Sequence, residues 1–426
     1  MEEIHYRLFT ESNGICTDTR KITEGCLFIC IKGDNFDGNT FAQKALDLGA
    51  GHVIVDNSEF HSNAERQTLV DNSIEFLQEL ANHHRKQFSI PVLGITGSNG
   101  KTSTKELMNA VLSKKYNVLA TEGNLNNHLG VPFTLLRLTS EHEIAIIEMG
   151  ANRFKDIEEL SAIAEPTHGI ITNIGKAHLE GFGGFEGVLK TKRELYEAID
   201  KVNGTIIVNQ DDPVLLGALP EGVKTFNYGT QNATVIGQLE KLTPFVNMSW
   251  SYNGFNSGVI GSQLIGKYNF YNFLAAASFG VFFDVPNELI SEAISSYTPT
   301  NNRSQVKESG SNTLIMDCYN ANPTSMSSAI ESFAAIEHAK KLMILGDMKE
   351  LGTETEIEHK NILTLSQEKN LEFWTVGSCF GEVNHSNHFN STQDVQEFLK
   401  QSPQKDALIL LKGSRSIGLE KLEEYL

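Results

Sequence analysis

The chain lacks any long apolar segment: no run of about eighteen apolar residues, the length that spans a bilayer, occurs in its 426 residues. Its opening, MEEIHYRLFT, has no basic region followed by an apolar core, so the pattern of a secretory signal is absent. We therefore expect no membrane insertion, and a protein of the reducing cytoplasm.

Cysteine is also scarce. The five cysteines are an odd and scattered set, which excludes a disulfide framework and fits a reducing compartment. Cys26 and Cys30 fall in the apolar run GCLFICIKG. This pattern predicts a buried strand rather than a metal site.

Basic residues are outnumbered, with 35 Lys and Arg against 53 Asp and Glu and a net charge of −18. Because a phosphate backbone needs a basic surface, this balance argues against a nucleic-acid partner. Histidines are paired in NHHRK (His83, His84) and HSNH (His385, His388), but neither segment has the further ligands that a metal needs. We expect both segments to be solvated surface.

One stretch, GITGSNGKTSTKE, is rich in glycine and lies between an apolar β-branched run and a helical pattern. Glycines let backbone N–H groups turn toward an anion, Lys101 can reach outer phosphates, and Thr102 can hold Mg²⁺. The strict pattern would have glycine where Ile95 stands, but the core Gly97-x-x-Gly100-Lys-Thr is present. We favour a phosphate-binding loop over a plain strand-to-helix turn.

The order of patterns predicts an α/β protein of three domains, at residues 1–88, 89–299 and 300–426. In the first, a strand, a Gly/Asp-rich turn, a helix and another strand follow in order. In the second, the runs NVLAT, EIAIIEMG, HGIITNI and GTIIVN alternate with helical patterns, as in a covered parallel sheet. YTPTNNRS reads as a linker, and the third domain alternates again as a smaller, Rossmann-like α/β unit.

Polar residues follow several predicted strands, where α/β sheets bind ligands. Glu148 is a natural Mg²⁺ ligand or a helix cap, and His178 is a ligand or a packed loop residue. Asp317 ends another strand, while Lys412 and Arg415 in LLKGSRSIGLE suit a carboxylate or phosphate.

Basic residues also cluster in GVLKTKRELYEAI, where composition alone favours a solvated basic helix face at Lys190, Lys192 and Arg193. No Ser-His-Asp order or nucleophile elbow occurs. Chemistry here would proceed by positioning and electrostatics.

Taken together, the motifs resemble the Mur ligases over essentially the whole chain. They are TGSNGKT, GNLNNHLGVPFTLL, IIEMGAN, TNIGKAHLEGFG, KTKRELY, YNANPTSM, LGDMKELG and LKGSRS. Among the family, GNLNN, YNANP, GDMKELG and KGSRS favour members that add D-alanyl-D-alanine. The alternatives are ligases that add the third amino acid or polyglutamylate folate, and, from another class, a P-loop kinase or nucleotide switch.

The resemblance implies an ATP-dependent amide ligase of peptidoglycan synthesis. The first domain would hold UDP-N-acetylmuramoyl-tripeptide, the second would bind ATP and two Mg²⁺ ions, and the third would close over the site and help to bind D-alanyl-D-alanine. The tripeptide carboxylate would become an acyl phosphate that the dipeptide amine attacks. A cytoplasmic monomer is expected.

Catalytic and metal-binding residues are also implied by the resemblance. Lys101 would bind phosphate, Thr102 and Glu148 the first Mg²⁺, and His178 the second. Lys192 matches the family lysine that carries a CO₂-derived carbamate, which would also hold the second ion.

The remaining implied residues contact ATP or the other substrates. For ATP they are Gly97, Ser98, Asn99, Gly100, Lys101, Thr102, Ser103, Asn272, Arg303 and Asp317. For the substrates they are Asp18, Arg20, Asn124, Asn126, Asn127, Asn320, Asn322, Lys412 and Arg415. Two positions depart from the family pattern, with Tyr268 in place of a frequent histidine and Cys318 in place of serine or alanine.

Overall fold

The computed structural model describes residues 1–33, 35–176, 179–383 and 386–426. His178 and His385, both named above, lie outside the described residues. The chain forms two compact units. The first comprises Met1–Gly94, Asn117–Met149 and Glu158–Pro166, and the second comprises Ile95–Tyr116, Gly150–Ile157 and Thr167–Leu426. In the described part of the chain, no helix is both long and apolar enough to cross a bilayer.

Strands and helices alternate along most of the chain. The strands are β1 Ile15–Cys16, β2 Leu27–Ile29, β3 Lys32–Gly33, β4 Phe36–Asp37, β5 His52–Val55, β6 Gln67–Leu69, β7 Val92–Thr96, β8 Val118–Ala120, β9 Ile144–Glu148, β10 His168–Ile171, β11 Thr205–Asn209, β12 Lys224–Gly229, β13 Val235–Lys241, β14 Asn247–Tyr252, β15 Phe255–Asn256, β16 Ile260–Gly261, β17 Gln305–Ser309, β18 Asn312–Asp317, β19 Lys341–Gly346, β20 Glu372–Val376, β21 His388–Phe389 and β22 Leu408–Lys412. The α-helices are α1 Glu3–Thr10, α2 Ala42–Asp47, α3 Ser73–Arg85, α4 Lys101–Leu112, α5 Gly130–Leu135, α6 Asp156–Ala164, α7 Leu179–Phe182, α8 Phe185–Lys201, α9 Pro213–Gly217, α10 Tyr268–Phe282, α11 Asn287–Ser296, α12 Pro323–Ala334, α13 Thr355–Glu368, α14 Ser378–Gly381 and α15 Thr392–Gln401.

The first unit contains a four-stranded parallel sheet in the order β1-β2-β5-β6. Cys26 and Cys30 are buried against this sheet, as predicted. β8 and β9 form a parallel pair in the same unit, in the register Val118 opposite Ile144. All parallel strands of a sheet end at one edge, so the polar residues after β2, β5 and β6 lie together there.

The prediction that His83 and His84 belong to solvated surface is wrong for His84, which is 8% exposed. Its Nε2 donates to the carbonyl of Leu138 (3.0 Å), and its Nδ1 accepts from the Tyr6 hydroxyl (2.9 Å). His84 lies four residues after Leu80 on the buried face of α3, a helical spacing that marks it as inward-facing. His388 is half-buried, and its Nδ1 lies within hydrogen-bond distance of the Thr375 hydroxyl (3.1 Å).

The second unit begins within β7 and contains a sheet that continues through β10, β11, β12 and β13 in parallel order. β14 then joins antiparallel to β13, as the FVNMSWSYNG pattern predicts. α10 packs against α4 and the strands β11 to β13, and is buried along most of its length. Its apolar residues all round the axis follow from that double packing.

Further along the second unit, a six-stranded sheet has the order β17-β18-β22-β19-β20-β21. β18, β22, β19 and β20 run parallel, and β17 is antiparallel to β18. The carboxyl ends of β18, β19 and β22 therefore share one edge: Asp317 ends β18 there, and Asp347 and Gly413 directly follow β19 and β22.

His168, at the start of β10, packs edge-on against the rings of Phe282 and Phe283 at 5.2 and 5.3 Å. Burial lowers the pKa of His168 to about 4 from an ordinary value of 6.5. Between these two values the unfolded chain binds a proton that the folded chain does not. The contribution of His168 to the free energy of unfolding is therefore complete above pH 6.5 and is lost as the pH drops toward 4.

We expect His168→Gln to remove this part of the acid sensitivity. From pH 7.5 to pH 5 the wild-type chain should lose about 2 kcal/mol more unfolding free energy than the variant. Urea unfolding followed by the fluorescence of Trp250 and Trp374, both in the second unit, measures the difference. The exposed His338→Gln should behave as wild type, and equal losses in all three chains would contradict the assignment to His168.

Candidate functional site

A glycine-rich loop joins β7 to α4 in the second unit. Gly97 and Gly100 have φ angles of +145° and +78°, values that favour glycine, and α4 begins directly at Lys101. The loop thus presents its backbone to the N-terminus of a helix of twelve residues. This is the geometry of an anion-binding loop.

The end of β10 holds this loop in place. The Thr172 hydroxyl donates to the carbonyl of Asn99 (2.6 Å), and the Asn173 side chain both donates to that carbonyl and accepts from the Asn99 N–H. The Ser98 N–H donates to the carbonyl of Asn173 (3.0 Å). Lys101 donates from its Nζ to the carbonyl of Gly97 (2.7 Å), so its ammonium lies over the loop.

Asn272 lies directly beside the loop. It is 6% exposed, accepts from the Thr104 hydroxyl (3.1 Å) and donates to Asn269 (2.8 Å). A Cβ on Gly100 would come within 2.8 Å of the Asn272 side-chain oxygen. α10 therefore places this predicted ATP residue against the glycine loop.

A chain of hydrogen bonds connects α10 with the carboxyl edge of the C-terminal sheet. The Tyr268 hydroxyl bonds the Ser304 hydroxyl (2.6 Å), and the Ser304 N–H donates to Asp317 (3.2 Å). Lys412, 3% exposed, forms an ion pair with Asp317 (3.0 Å) and donates to the carbonyl of Asn320 (2.8 Å). Burial and the charge of Asp317 raise the pKa of Tyr268, so its hydroxyl stays protonated and neutral.

Arg303 and Arg415, two predicted site residues, share one aromatic partner. Their guanidinium carbons lie 3.9 and 5.3 Å from the ring centroid of Tyr319. Tyr319 was not predicted as a site residue, although it directly precedes Asn320 in YNANP. Arg415 begins a 3₁₀ turn, Arg415–Ile417.

Lys192 is buried at 2% exposure on α8, whereas Lys190 and Arg193 are exposed. The predicted solvated face is therefore wrong for Lys192 alone. Burial lowers its pKa well below the ordinary value, and the charge of Lys101 acts in the same direction. Its Nζ lies 5.5 Å from the ring centroid of Phe182.

Asn322 has a local structural role as well as a predicted one. Its side chain accepts from the Ser325 N–H (2.9 Å) while the Ser325 hydroxyl accepts from the Asn322 N–H, so the pair caps α12. The Asn322 amide also donates to the side chain of Asn99 (2.7 Å). Capping leaves this donor directed at the glycine loop.

Glu148 ends β9 in the first unit and is 1% exposed. The Asn126 side chain donates to the Glu148 carboxylate (2.8 Å), and the backbone N–H of Glu148 donates to the Thr121 hydroxyl (3.0 Å). Asn127 caps α5 by accepting from Gly130 (2.9 Å). Asn124 is exposed.

Asp18 and Arg20 pair with each other in the first unit, at 2.7 Å. The side-chain and backbone donors of Arg20 lower the pKa of Asp18 to about 2.

A separate polar cavity of 530 Å³ lies at the carboxyl ends of β2, β5 and β6, and its residues were not predicted. It is lined by Lys32, Asp37, Asn39, Asp56, Asn57, Ser58, Asp71, Asn72 and Ile74.

Asp347, in GDMKELG, is a further buried carboxylate that was not predicted as a site residue. It accepts from the N–H groups of Cys379 and Phe380 (both 3.0 Å) and from Lys349 (3.1 Å). Burial alone would raise the pKa of Asp347, but these donors outweigh it and hold the pKa low. The position after β19 was a signal for it, since strand ends carry polar sites.

Three family models match successive parts of the chain. They describe the Mur ligase family catalytic domain (residues 11–85), the Mur ligase middle domain (95–280) and the Mur ligase glutamate ligase domain (302–415). The chain belongs to the Mur ligase family. The predicted α/β fold in three domains is confirmed by these matches and by the solved structures below.

Several relatives that match over nearly the whole chain share one name within that family. The UDP-N-acetylmuramoyl-tripeptide–D-alanyl-D-alanine ligase of Bacillus subtilis (strain 168) is 34% identical over 97% of this chain and 93% of its own length. A crystal structure of MurF from Acinetobacter baumannii aligns with a TM-score of 0.88 at 30% identity, covering 98% of this chain and 96% of that one. The structure of MurF ligase from Thermotoga maritima in complex with ADP aligns with a TM-score of 0.86 at 26% identity, covering 100% of this chain and 98% of that one.

We expect Gly97→Ala to destabilise the second unit. A Cβ there would lie 2.0 Å from the Thr172 hydroxyl oxygen and 3.1 Å from its backbone nitrogen, at a φ that side chains rarely adopt. Overpacking and backbone strain together should cost about 2–4 kcal/mol of unfolding free energy.

Urea unfolding followed by tryptophan fluorescence measures this cost. Gly217→Ala is the matched control, because its Cβ meets open space at an ordinary φ, and it should change stability by less than about 1 kcal/mol. Equal effects of the two substitutions would contradict the close approach of Thr172 to the loop.

Proposed function

We propose that this chain is an ATP-dependent ligase that joins D-alanyl-D-alanine to UDP-N-acetylmuramoyl-tripeptide, giving the pentapeptide, ADP and phosphate. The observation that carries the proposal is the full-length likeness to ligases named for that reaction. The glycine loop supports it with a physical site for a triphosphate. This is a cytoplasmic step of cell-wall synthesis, and we propose that a monomer performs it.

ATP is assigned to the second unit. The residues that would surround the phosphates are Gly97, Ser98, Asn99, Gly100, Lys101, Thr102 and Ser103, with the backbone at the N-terminus of α4 facing the anion. Lys101 would leave the carbonyl of Gly97 to reach the outer phosphates, and Asn272 would contact adenine. Arg303 and Asp317 would complete the site from the C-terminal part.

Mg²⁺ fits the donor set of these assignments, because hydroxyl and carboxylate oxygens are the ligands it prefers. Thr102 and Glu148 would hold one ion, and His178 together with a carbamate on Lys192 the other. Bound Mg²⁺ would spread the negative charge of the triphosphate and the attacking carboxylate. An amine reacts with CO₂ only when neutral, and the low pKa of the Lys192 amine supports that chemistry.

The two other substrates are assigned to the remaining predicted residues. Asp18 and Arg20 would contact the nucleotide of UDP-N-acetylmuramoyl-tripeptide, and Asn124, Asn126 and Asn127 its reacting carboxylate. Asn320, Asn322, Lys412 and Arg415 would bind D-alanyl-D-alanine. The corresponding domains, 1–88, 89–299 and 300–426, stay a proposal.

The reaction requires two anions to meet. The tripeptide carboxylate forms a bond to the γ-phosphorus as ADP leaves, and Lys101 offsets the repulsion between them. The dipeptide amine then attacks the acyl carbon, phosphate leaves with the electrons of the broken C–O bond, and the proton lost by the nitrogen passes to the departing phosphate. Water must be excluded between these steps, since it would hydrolyse the acyl phosphate.

The test is amine-dependent phosphate release. Purified chain with ATP, Mg²⁺ and the tripeptide, carrying either diaminopimelate or lysine, should release one phosphate per pentapeptide formed when D-alanyl-D-alanine is added. Activity with a diamino acid or with glutamate instead would favour another ligase of the family. Phosphate release that ignores every amine would favour a kinase or nucleotide switch.

Lys192→Ala should lower turnover by about 100-fold or more, because the second metal loses a ligand. Phosphate release measures the loss, and acetate or formate should restore part of it by supplying carboxylate oxygens. Lys190→Ala, an exposed lysine two residues earlier on α8, is the matched control and should keep full activity. Full activity of Lys192→Ala would remove the carbamate assignment.

A further inference from the structure

The loop after β10 lies between the glycine loop and the C-terminal part of the second unit. On one side, Ser98 accepts from the Gly175 N–H (2.9 Å), and its hydroxyl donates to the Gly175 carbonyl (3.1 Å). On the other side, the Lys176 N–H donates to the hydroxyl of Thr324 in α12 (3.4 Å). Gly175 has little spare room, because a Cβ would meet Thr324 at 3.3 Å.

An ion pair closes this contact. Lys176 donates from Nζ to the carboxylate of Glu358 at 2.7 Å. The Glu358 side chain is only 6% exposed and lies in the first turn of α13, while the Lys176 side chain is 56% exposed. The side-chain amide of Asn361 also donates to the Glu358 carboxylate (3.4 Å).

A buried carboxylate without a cation is strongly unfavourable, whereas an exposed lysine without a partner is not. The pair is therefore one-sided: Glu358 depends on Lys176 much more than Lys176 depends on Glu358. The hydrogen bond from Asn322 to Asn99 lies in the same junction and binds α12 to the glycine loop itself. Through these contacts, the position of α12 and α13 is set by the loop that would hold the nucleotide.

We propose that Glu358 is a positioning residue for ligation: its ion pair with Lys176 holds the C-terminal part against the glycine loop and keeps water from the acyl phosphate. This inference rests on the proposed ligase function. Glu358 touches neither substrate nor metal in this role. Loss of the pair should therefore uncouple ATP hydrolysis from amide formation rather than abolish either.

The experiment compares Glu358→Gln and Lys176→Met with the charge-swapped double variant Lys176→Glu/Glu358→Lys. In each single variant, the number of phosphates released per amide bond formed should rise from one to about three. The KM for D-alanyl-D-alanine should rise about tenfold, while the KM for ATP should change less than about twofold. The double variant should recover most of the coupling. A ratio of one in both single variants would overturn the proposal.

Glu356→Gln is the matched control, since Glu356 lies on the same helix in an exposed ion pair with Lys360. It should keep wild-type coupling and KM values. Uncoupling by this control to the same extent would show a general effect of α13, and would overturn the role of Glu358.

A second measurement needs no substrate. Amide hydrogen exchange of the full chain should be about tenfold faster at Gly175 and Lys176 in Glu358→Gln than in wild type or Glu356→Gln. Unchanged exchange would overturn the proposal even if Glu358→Gln folds normally and is active. A wild-type chain that fails to ligate would instead remove the proposed function, and the exchange result would still decide whether Glu358 holds this contact.

Discussion

The close approach of β10 to the glycine loop is the constraint on which the site depends. Thr172 and Asn173 fix the carbonyl and N–H of Asn99 by three hydrogen bonds, and this leaves no volume for a side chain at Gly97. A loop that must bind an anion with its backbone cannot also hold its own shape by backbone pairing. The neighbouring strand supplies that shape, and Asn99 then offers its side chain to Asn322.

The charge beside the glycine loop is positive, although the chain as a whole is negatively charged. The molecule carries a net charge of −18, yet Lys101 and the buried Lys192 raise each other's energy when both are charged. Deprotonation of Lys192 relieves this repulsion and leaves Lys101 as the cation at the loop. The positive potential for an anionic ligand is therefore local, and an acidic surface is compatible with it.

The sequence predicts those features that depend on neighbours along the chain. The strand, glycine loop and helix around Lys101 follow from local pattern, as do the alternating parallel strands. The sequence could not predict contacts between residues that are far apart in the chain. His84 donates to Leu138, and the buried Glu358 pairs with Lys176, and no periodic pattern indicates either contact. The burial of Lys192 could be predicted only in part, because helical spacing permits it but the basic composition of its segment argues against it.

Apolar and polar contacts both join the C-terminal part of the second unit to the rest of that unit. Ile265 packs into the apolar core beneath the C-terminal sheet, and separating it would expose hydrocarbon to water. The contacts of Asn322 with Asn99 and of Glu358 with Lys176 are polar, and water can replace each partner once the groups are exposed, so the neutral contact contributes about 1 kcal/mol net and the charged one about 1.5–3 kcal/mol. Water can therefore replace the partners at the glycine loop, whereas it offers no replacement for the apolar contact of Ile265. A ligase that admits an amine and then excludes water needs this asymmetry.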